Sequence, residues 1–512
     1  MSELSENNKR IAKNTLLLYI RMFFIMIITL FTSRVVLKTL GIENYGIYNV
    51  IAGIIAMMGV LNSAMSASIQ RYLTYELGKG NIIQLKKIFS TCLLIYLLLS
   101  GIFFILAETI GLWFLNTQLV IPIDRISAAN WVYQFSIIAC INSLLSNPYN
   151  ASIIAHEKMN VYAYVSIIEV LLKLAIVYLL LVMPYDRLSV YGLLICISQI
   201  TVTVIYRIYC IKNFEECHFH FYKEKKLFKQ LLSYSGWNLF GSVSTLIKTQ
   251  GLNILLNLFF TPSVNAARGI AVQINAAITQ FFTNFYTAVR PQITKYYAKG
   301  ELQNMFTLVF RSSKFSYYLI LLISLPIIIE TPYIIKLWLG QLPDYVVIFT
   351  RLIIIISAID SMSSPLMTTA HATGNIAFYQ SAIGLVSILN LPISYIALKI
   401  GGQPEIVFYI SLIISFISLF IRLIIIKKLI QSFPVTKYIT NILLIIILVT
   451  ILSSVLPIIL YIKLSENFIN FILVSIVSLF TTGISIYYIG LCKTEKEFIK
   501  QTIQGKFKNN HK

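Results

Sequence analysis

Basic side chains lie inside several stretches of this sequence that are otherwise strongly apolar. A cation at the centre of a lipid bilayer costs at least about 2.5–3.5 kcal/mol unless it faces a partner or a water-filled cavity. Few carboxylates lie well inside the same stretches, so their interior is net cationic, which suits the binding of an anion. The basic residues concerned are Arg21, Arg34, Lys173, Lys248 and Arg268.

Local partners, or a place near the membrane surface, account for some of these cations. Lys173 follows Glu169 by four positions, the spacing at which two side chains of a helix meet, so the two charges could simply neutralise each other. Arg34 lies near the outer end of its stretch and could extend to the lipid headgroups instead of lining a cavity. Arg21 and Lys248 lie deeper and have no obvious local partner, so we predict that both line a cavity.

The stretches that contain Lys248 and Arg268 are unusually polar. Both are rich in Asn, Gln, Ser and Thr, which are poor residues for a surface that faces lipid. Hydrogen bonding between helices explains some of them, and a water-filled path explains the others. Under either interpretation these faces lie inside the protein.

Asp360 is a carboxylate well inside an apolar stretch, and two roles are open for it. It could bind a coupling Na⁺ or proton, or it could be a hydrogen-bonded structural residue. The run Glu216–His220 matches the spacing of no standard metal site, so no metal is predicted. The sequence has no G-x-x-x-x-G-K-[ST] motif and no large external loop for catalytic groups. We therefore expect neither an enzyme nor a cofactor, apart from a possible coupling ion.

Long apolar runs dominate the chain and predict an all-α membrane protein. Of its 512 residues 57% are hydrophobic and only 12% are charged, more apolar surface than a soluble domain can bury. Runs of about 20 apolar residues mark membrane-spanning helices, and about 14 are predicted. They lie near 11–37, 45–70, 88–113, 127–150, 160–183, 188–211, 231–259, 264–290, 313–335, 345–370, 375–398, 404–427, 438–462 and 468–491.

The distribution of Lys and Arg predicts the orientation of these spans. With the amino terminus in the cytoplasm, most of the 41 basic residues lie in inner loops, while the outer loops are short and nearly uncharged. An even number of spans then places both termini in the cytoplasm. The formal charge of +21 is explained by this asymmetry, so no nucleic acid partner is predicted.

An internal repeat divides the spans into two similar sets. Tyr75–Gly80 resembles Lys295–Gly300, and Ser146–Pro148 resembles Ser363–Pro365 at a nearly equal offset. An even number of spans separates the copies, so a pseudo-twofold axis along the membrane normal is expected. The predicted parts are an N-terminal lobe of six helices, a cytoplasmic linker, a C-terminal lobe of six helices, two further helices and a basic cytoplasmic tail. Their ranges are 1–212, 213–230, 231–430, 431–492 and 493–512.

Short motifs in the first third of the chain carry a family resemblance. They are Asn14-Thr15, the Leu-Gly-x-x-x-Tyr-Gly element in Leu40–Tyr48, Gln70–Tyr72 and Glu76–Gly80. With them, the chain resembles the polysaccharide transporters that flip O-antigen or capsule repeat units. These belong to the multidrug/oligosaccharidyl-lipid/polysaccharide flippase superfamily. The plan of about 14 spans in two lobes extends the resemblance over the whole chain and implies a MATE-like fold.

The resemblance implies the substrate and the partners. The expected substrate is an oligosaccharide on undecaprenyl pyrophosphate, which is moved to the outer leaflet of a bacterial cytoplasmic membrane. Membrane lipids and the polysaccharide polymerase machinery are the implied partners. Arg21 and Lys248 are expected to bind the pyrophosphate first of all, with Arg268 and Arg34 next.

Two alternatives remain open. The drug-exporting branch of the same superfamily moves cationic compounds against Na⁺ or protons, but the first span of this chain carries two arginines and no carboxylate. A membrane-embedded glycan polymerase or ligase would need a large external loop, and the outer loops here are short.

Overall fold

α-Helices form almost all of the described chain. The computed structural model describes residues 3–497, except 57–58, 118–120, 184, 223, 261 and 341. This described part contains no β-strand. Helices suit an apolar chain because each satisfies its backbone hydrogen bonds internally, without water. The all-α architecture predicted from the sequence is confirmed.

A first compact unit comprises Met1–Val243 and Thr287–Leu302. Its helices include the first part of α8 and the end of α9. In chain order they are α1 (Glu3–Ala56), α2 (Gly59–Lys79), α3 (Ile82–Leu106), α4 (Leu112–Thr117), α5 (Ile126–Ala155), α6 (Met159–Val182), α7 (Arg187–Asn213), α8 (Lys225–Phe259) and α9 (Pro262–Ala298).

A second compact unit comprises Ser244–Tyr286 and Gln303–Lys512. It contains the remaining parts of α8 and α9, and the lobe boundaries predicted from the sequence stay a prediction. The further helices are α10 (Leu302–Ile329), α11 (Thr331–Leu339), α12 (Val346–Ala372), α13 (Ala377–Ile388), α14 (Asn390–Lys399), α15 (Ile406–Leu429), α16 (Val435–Tyr438), α17 (Leu444–Lys463) and α18 (Phe468–Ser485).

Among the described residues, 11 helical stretches are long and apolar enough to cross a membrane. They correspond to all of the predicted spans except the second, the seventh and the eighth. The described residues of those three regions are also helical, in α2 with the end of α1, in α8 and in α9. With 35 and 37 residues, α8 and α9 are long enough to span, but their polar residues lower the mean hydropathy. The prediction of a multi-pass membrane protein is confirmed.

The Leu-Gly-x-x-x-Tyr-Gly element interrupts α1. Gly41 has φ 79° and ψ 162°, which are not helical values. A positive φ is costly for residues with a Cβ atom and easy for glycine. This glycine therefore permits a kink between the first predicted span and the residues that lead into the second.

The backbone supports the internal repeat at the ends of α2 and α9. Gly80 and Gly300 follow these helices with φ values of 72° and 78°. Each donates its N–H to a carbonyl three residues earlier, Leu77 and Tyr297 respectively. Glycine in the left-handed conformation is a common way to end a helix, and the two copies of the motif use it identically.

The second pair of repeat segments also agrees in detail. Pro148 lies inside α5 and Pro365 lies inside α12. Nine residues after each proline the chain adopts a positive φ, 60° at Glu157 and 82° at Gly374. One copy therefore uses glycine where the other holds a glutamate in a conformation that costs about 1–2 kcal/mol for a residue with a Cβ atom.

Small residues let α2 pack closely on the end of α9. A Cβ atom added at Gly78 would lie 2.9 Å from the Cβ of Ala298. The rings of Tyr75 and Tyr297 meet beside this contact, with centroids 6.4 Å apart. Close approach through small residues is a common packing mode of membrane helices.

Candidate functional site

Arg21 lies on α1 in the first unit, half-buried against α6. Its guanidinium carbon is 4.5 Å from the ring centroid of Tyr162, and its Nη2 is 3.5 Å from the Tyr162 hydroxyl. Its Nε has no hydrogen-bond partner, and the guanidinium has no ion-pair partner, among the residues that the structure describes. An aromatic ring thus positions this cation without neutralising it.

Lys173 differs from Arg21 although it lies on the neighbouring helix α6. Its Nζ is 2.6 Å from Glu169 Oε1, one turn earlier. The local ion pair that the spacing suggested is present. Lys173 is therefore a natural control for Arg21, since both are membrane cations of the first unit and only one is neutralised.

Lys248 lies on α8 in the second unit and is half-buried. In the described part of the chain it forms no ion pair at contact distance. Its electrostatic neighbours are Asp360, which attracts it, and Arg422, which repels it. Like Arg21, it is a membrane cation that is not neutralised by direct contact.

Arg268 connects α9 to α8 in the second unit. Its Nη1 donates to the side-chain oxygen of Asn253 at 3.1 Å, and its Nη2 donates to the carbonyl of Thr249 at 2.8 Å. These neutral acceptors use two of its five N–H donors. Arg34 lies on α1, but its side chain is outside the described residues, so its predicted role stays a prediction.

Asp360 lies near the middle of α12 and is exposed. Its Oδ1 accepts a hydrogen bond from the hydroxyl of Ser415 on α15. The hydrogen-bonded state predicted as one of two possibilities is present, while a coupling role stays a prediction.

Arg422 on α15 is a further cation that the sequence interpretation did not single out. Its Nε donates to the Tyr379 hydroxyl at 3.1 Å, and its Nη1 has no hydrogen-bond partner within the described chain. In sequence it lies close to Lys427 and Lys428, which were predicted to lie in a cytoplasmic loop, so it was grouped with them. A signal was available, because Ser411, Ser415, Ser418 and Arg422 recur at helical spacing in an apolar run.

Glu157, in the turn between α5 and α6, is a second charged residue that the sequence interpretation did not single out for a role. Its side chain is only 1% exposed and lies 2.8 Å from Arg10 Nε and 2.5 Å from Lys295 Nζ. Gln292 donates a hydrogen bond to the same carboxylate, and Asn14 donates to the Glu157 carbonyl at 3.4 Å. This buried carboxylate joins the start of α1, the α5–α6 turn and the end of α9 within the first unit.

Glu216 has a structural partner of its own. The Nε2 atom of His156 is 2.6 Å from Glu216 Oε1, and the histidine ring stacks on Phe214 with centroids 4.0 Å apart. His218 and His220, from the run considered for a metal, donate from Nδ1 to the nearby backbone carbonyls of Glu215 and His218 respectively. Over the described ranges no group of three or more His, Cys, Asp or Glu side chains is placed to hold a metal ion.

Comparison with known proteins gives one family and one fold. A family model described as "Polysaccharide biosynthesis protein" matches residues 11–297. No curated protein matches the chain.

Solved structures similar to this chain include MATE transporters. A MATE in complex with MaD3S is 12% identical, with TM-score 0.70 over 84% of this chain and 100% of that chain. An outward-facing multidrug resistance MATE family transporter of the MOP superfamily is 12% identical, with TM-score 0.69 over the same shares. The MATE transporter ClbM in complex with Rb⁺ is 13% identical, with TM-score 0.65 over 80% and 94%. The predicted MATE-like fold is confirmed.

Proposed function

This chain belongs to the polysaccharide biosynthesis protein family, and from that premise we propose that it transports oligosaccharides linked to undecaprenyl pyrophosphate. Transport is from the inner to the outer leaflet of the bacterial cytoplasmic membrane, by alternating access, for O-antigen, capsule or exopolysaccharide synthesis. The observation that carries the proposal is that Arg21 and Lys248 lie on membrane helices and form no ion pair among the described residues.

A pyrophosphate headgroup needs cations of this kind. It is strongly hydrated in water and loses part of that hydration on entering a protein in the membrane, so fixed positive charges must replace the lost interactions. A cation already held by a carboxylate would have to exchange partners first. Arg21, held by the Tyr162 ring, keeps N–H donors for the phosphate oxygens.

Arg268 has a secondary place in this proposal. Two of its donors are bound to Asn253 and to the Thr249 carbonyl, yet its charge is retained. It therefore adds to the positive potential beside Lys248 and contributes long-range attraction more than direct recognition.

The same charges argue against export of cationic drugs, which is the main alternative. The fold is shared with multidrug resistance transporters, but fold alone does not determine the substrate. A cationic compound would be repelled by Arg21 and Lys248. A role of Asp360 in coupling to Na⁺ or protons remains a prediction, and its cationic neighbours Lys248 and Arg422 disfavour a bound cation there.

The proposed setting follows from the orientation of the spans. Both termini lie in the cytoplasm, the headgroup enters from the cytoplasmic side, and the lipid tail stays in the bilayer. The polysaccharide polymerase machinery then uses the transported unit. In this proposal the chain itself binds and moves its substrate and makes or breaks no covalent bond.

Replacement of the two cations in cells tests the proposal. Arg21→Gln and Lys248→Gln, singly and together, are expressed in a strain that lacks the native protein, with Lys173→Gln as the matched control. For both single variants and for the double variant we expect loss of surface glycan and accumulation of lipid-linked units. The control should display glycan normally, with all variants present in the membrane at equal levels. Normal glycan display in the double variant, with drug resistance that depends on the protein, would favour the exporter.

A further inference from the structure

Asp360 lies on an exposed surface of the second unit. It lies near the middle of α12, its side chain is exposed, and the Ser415 hydroxyl donates to it. A carboxylate that faced hydrocarbon at this depth would cost about 2.5–3.5 kcal/mol or more. One hydroxyl does not offset such a cost, so the exposed side of Asp360 faces water rather than lipid.

Two cations of the second unit, Lys248 and Arg422, have Asp360 as an electrostatic neighbour. Lys248 and Arg422 each interact electrostatically with Asp360 and repel one another. Neither forms an ion pair at contact distance within the described residues. The three groups together carry one net positive charge, which leaves the cluster able to attract an anion.

Arg422 keeps one N–H donor that no described residue accepts. Its Nε donates to the hydroxyl of Tyr379 at 3.1 Å, and the Tyr379 side chain is only 1% exposed. Its Nη1 is buried without a hydrogen-bond partner in the described chain. A buried N–H group without a partner costs about 1–3 kcal/mol, and more when it is charged. An incoming acceptor would remove that cost.

We propose that Lys248 and Arg422 form a phosphate-binding subsite and that Asp360 is a built-in anion that competes with the phosphate for both cations. This inference deepens the proposed function and rests on it for the identity of the phosphate as a lipid pyrophosphate. A transporter must release what it binds. A resident carboxylate lowers the affinity for the phosphate and regains the two cations when the headgroup departs.

Binding of inorganic pyrophosphate to the purified full-length protein tests the subsite. Isothermal titration calorimetry compares wild type with Asp360→Asn, Arg422→Gln and Lys248→Gln. We expect Asp360→Asn to bind about tenfold more tightly, because one nearby like charge is removed, and the other two to bind about tenfold more weakly. Asp360→Glu keeps the charge and should bind about as wild type does.

Lys173→Gln in the first unit is the matched control and should leave pyrophosphate binding unchanged. Size-exclusion profiles identify variants that do not fold, and Arg422→Lys, which keeps the charge, should retain most of the affinity. Equal or weaker binding by folded Asp360→Asn would overturn the inference. The inference would also be overturned if folded Arg422→Gln bound pyrophosphate with wild-type affinity, or if neither wild type nor Asp360→Asn bound it.

A second arm separates the lipid headgroup from a free anion. Undecaprenyl pyrophosphate in detergent micelles should displace bound inorganic pyrophosphate, and binding of the free anion without displacement by the lipid would overturn the assignment to the headgroup.

Glycan display distinguishes the two proposals. If it depends on Lys248 while Asp360→Asn binds no more tightly, only the competing-anion inference fails. If the binding pattern holds while display is independent of Arg21 and Lys248, only the proposed transport fails.

Discussion

Removal of the Glu157 side chain should destabilise the first unit. The carboxylate is 1% exposed and is bound by Arg10, Lys295 and Gln292. Glu157→Gln removes the negative charge and keeps the size. Glu157→Gly removes the side chain and also relieves the positive φ, as Gly374 does at the equivalent place of the repeat.

The expected magnitude follows from the burial of the partners. Breaking a fully buried ion pair costs about 3–5 kcal/mol because an uncompensated charge stays behind. Here Arg10 is 48% exposed and Lys295 is 20% exposed, so water compensates part of the loss and about 2–3 kcal/mol remains for Glu157→Gln. Glu157→Gly regains about 1–2 kcal/mol of backbone strain and should lie between Glu157→Gln and wild type.

Thermal unfolding of the purified protein in detergent measures these effects. A loss of 2–3 kcal/mol corresponds to a decrease in Tm of about 5–10 °C for a unit of this size. Glu215→Gln is the control, because its ion pair with Lys86 lies outside the predicted spans, with side chains that are 74% and 32% exposed, and should contribute less than about 1 kcal/mol. A Tm for Glu157→Gly equal to or above that of wild type would refute the stabilising role of the carboxylate.

Two further predictions concern packing and pH. Gly78→Ala should lower Tm, because the new Cβ would lie 2.9 Å from the Cβ of Ala298 and overpacking costs about 1–3 kcal/mol. Gly101→Ala is the control and should not lower Tm, because its new Cβ would have nothing within 4 Å. In the loop between α6 and α7, burial alone would raise the pKa of Asp186, but hydrogen bonds from Ser189 and the charge of Arg125 outweigh it and lower that pKa. Its contribution to stability is therefore present above its ordinary pKa of about 4 and is lost as the pH falls through the lowered value. In Asp186→Asn, Tm should therefore fall less than in wild type as the pH decreases below about 5. An unchanged dependence of Tm on pH would contradict this contribution of Asp186.

The spans and the isolated cations could be predicted because both depend on local sequence. Apolar runs of sufficient length predict helices, and Glu169 four positions before Lys173 predicts their ion pair. The left-handed turns at Gly80 and Gly300 were anticipated only as a sequence repeat, whose structural reason is the shared way of ending a helix.

Contacts between distant segments could not be predicted. The partners of Glu157 come from α1 and α9, more than 130 positions away, and a glutamate in a turn between helices is ordinarily solvated. Arg268 finds its acceptors on another helix. Arg422 was grouped with the neighbouring lysines, and only its buried partner Tyr379 reveals that it points inward.

Transport of a lipid-linked oligosaccharide by the purified protein tests the central proposal most directly. The protein is reconstituted in liposomes with a fluorescent oligosaccharide on undecaprenyl pyrophosphate, and a membrane-impermeant quencher reports arrival in the outer leaflet. We expect translocation by wild type and by Lys173→Gln, and a loss of at least about tenfold in the Arg21→Gln/Lys248→Gln double variant. Translocation by the folded double variant at the wild-type rate would contradict the proposal that these two cations carry the pyrophosphate across the membrane.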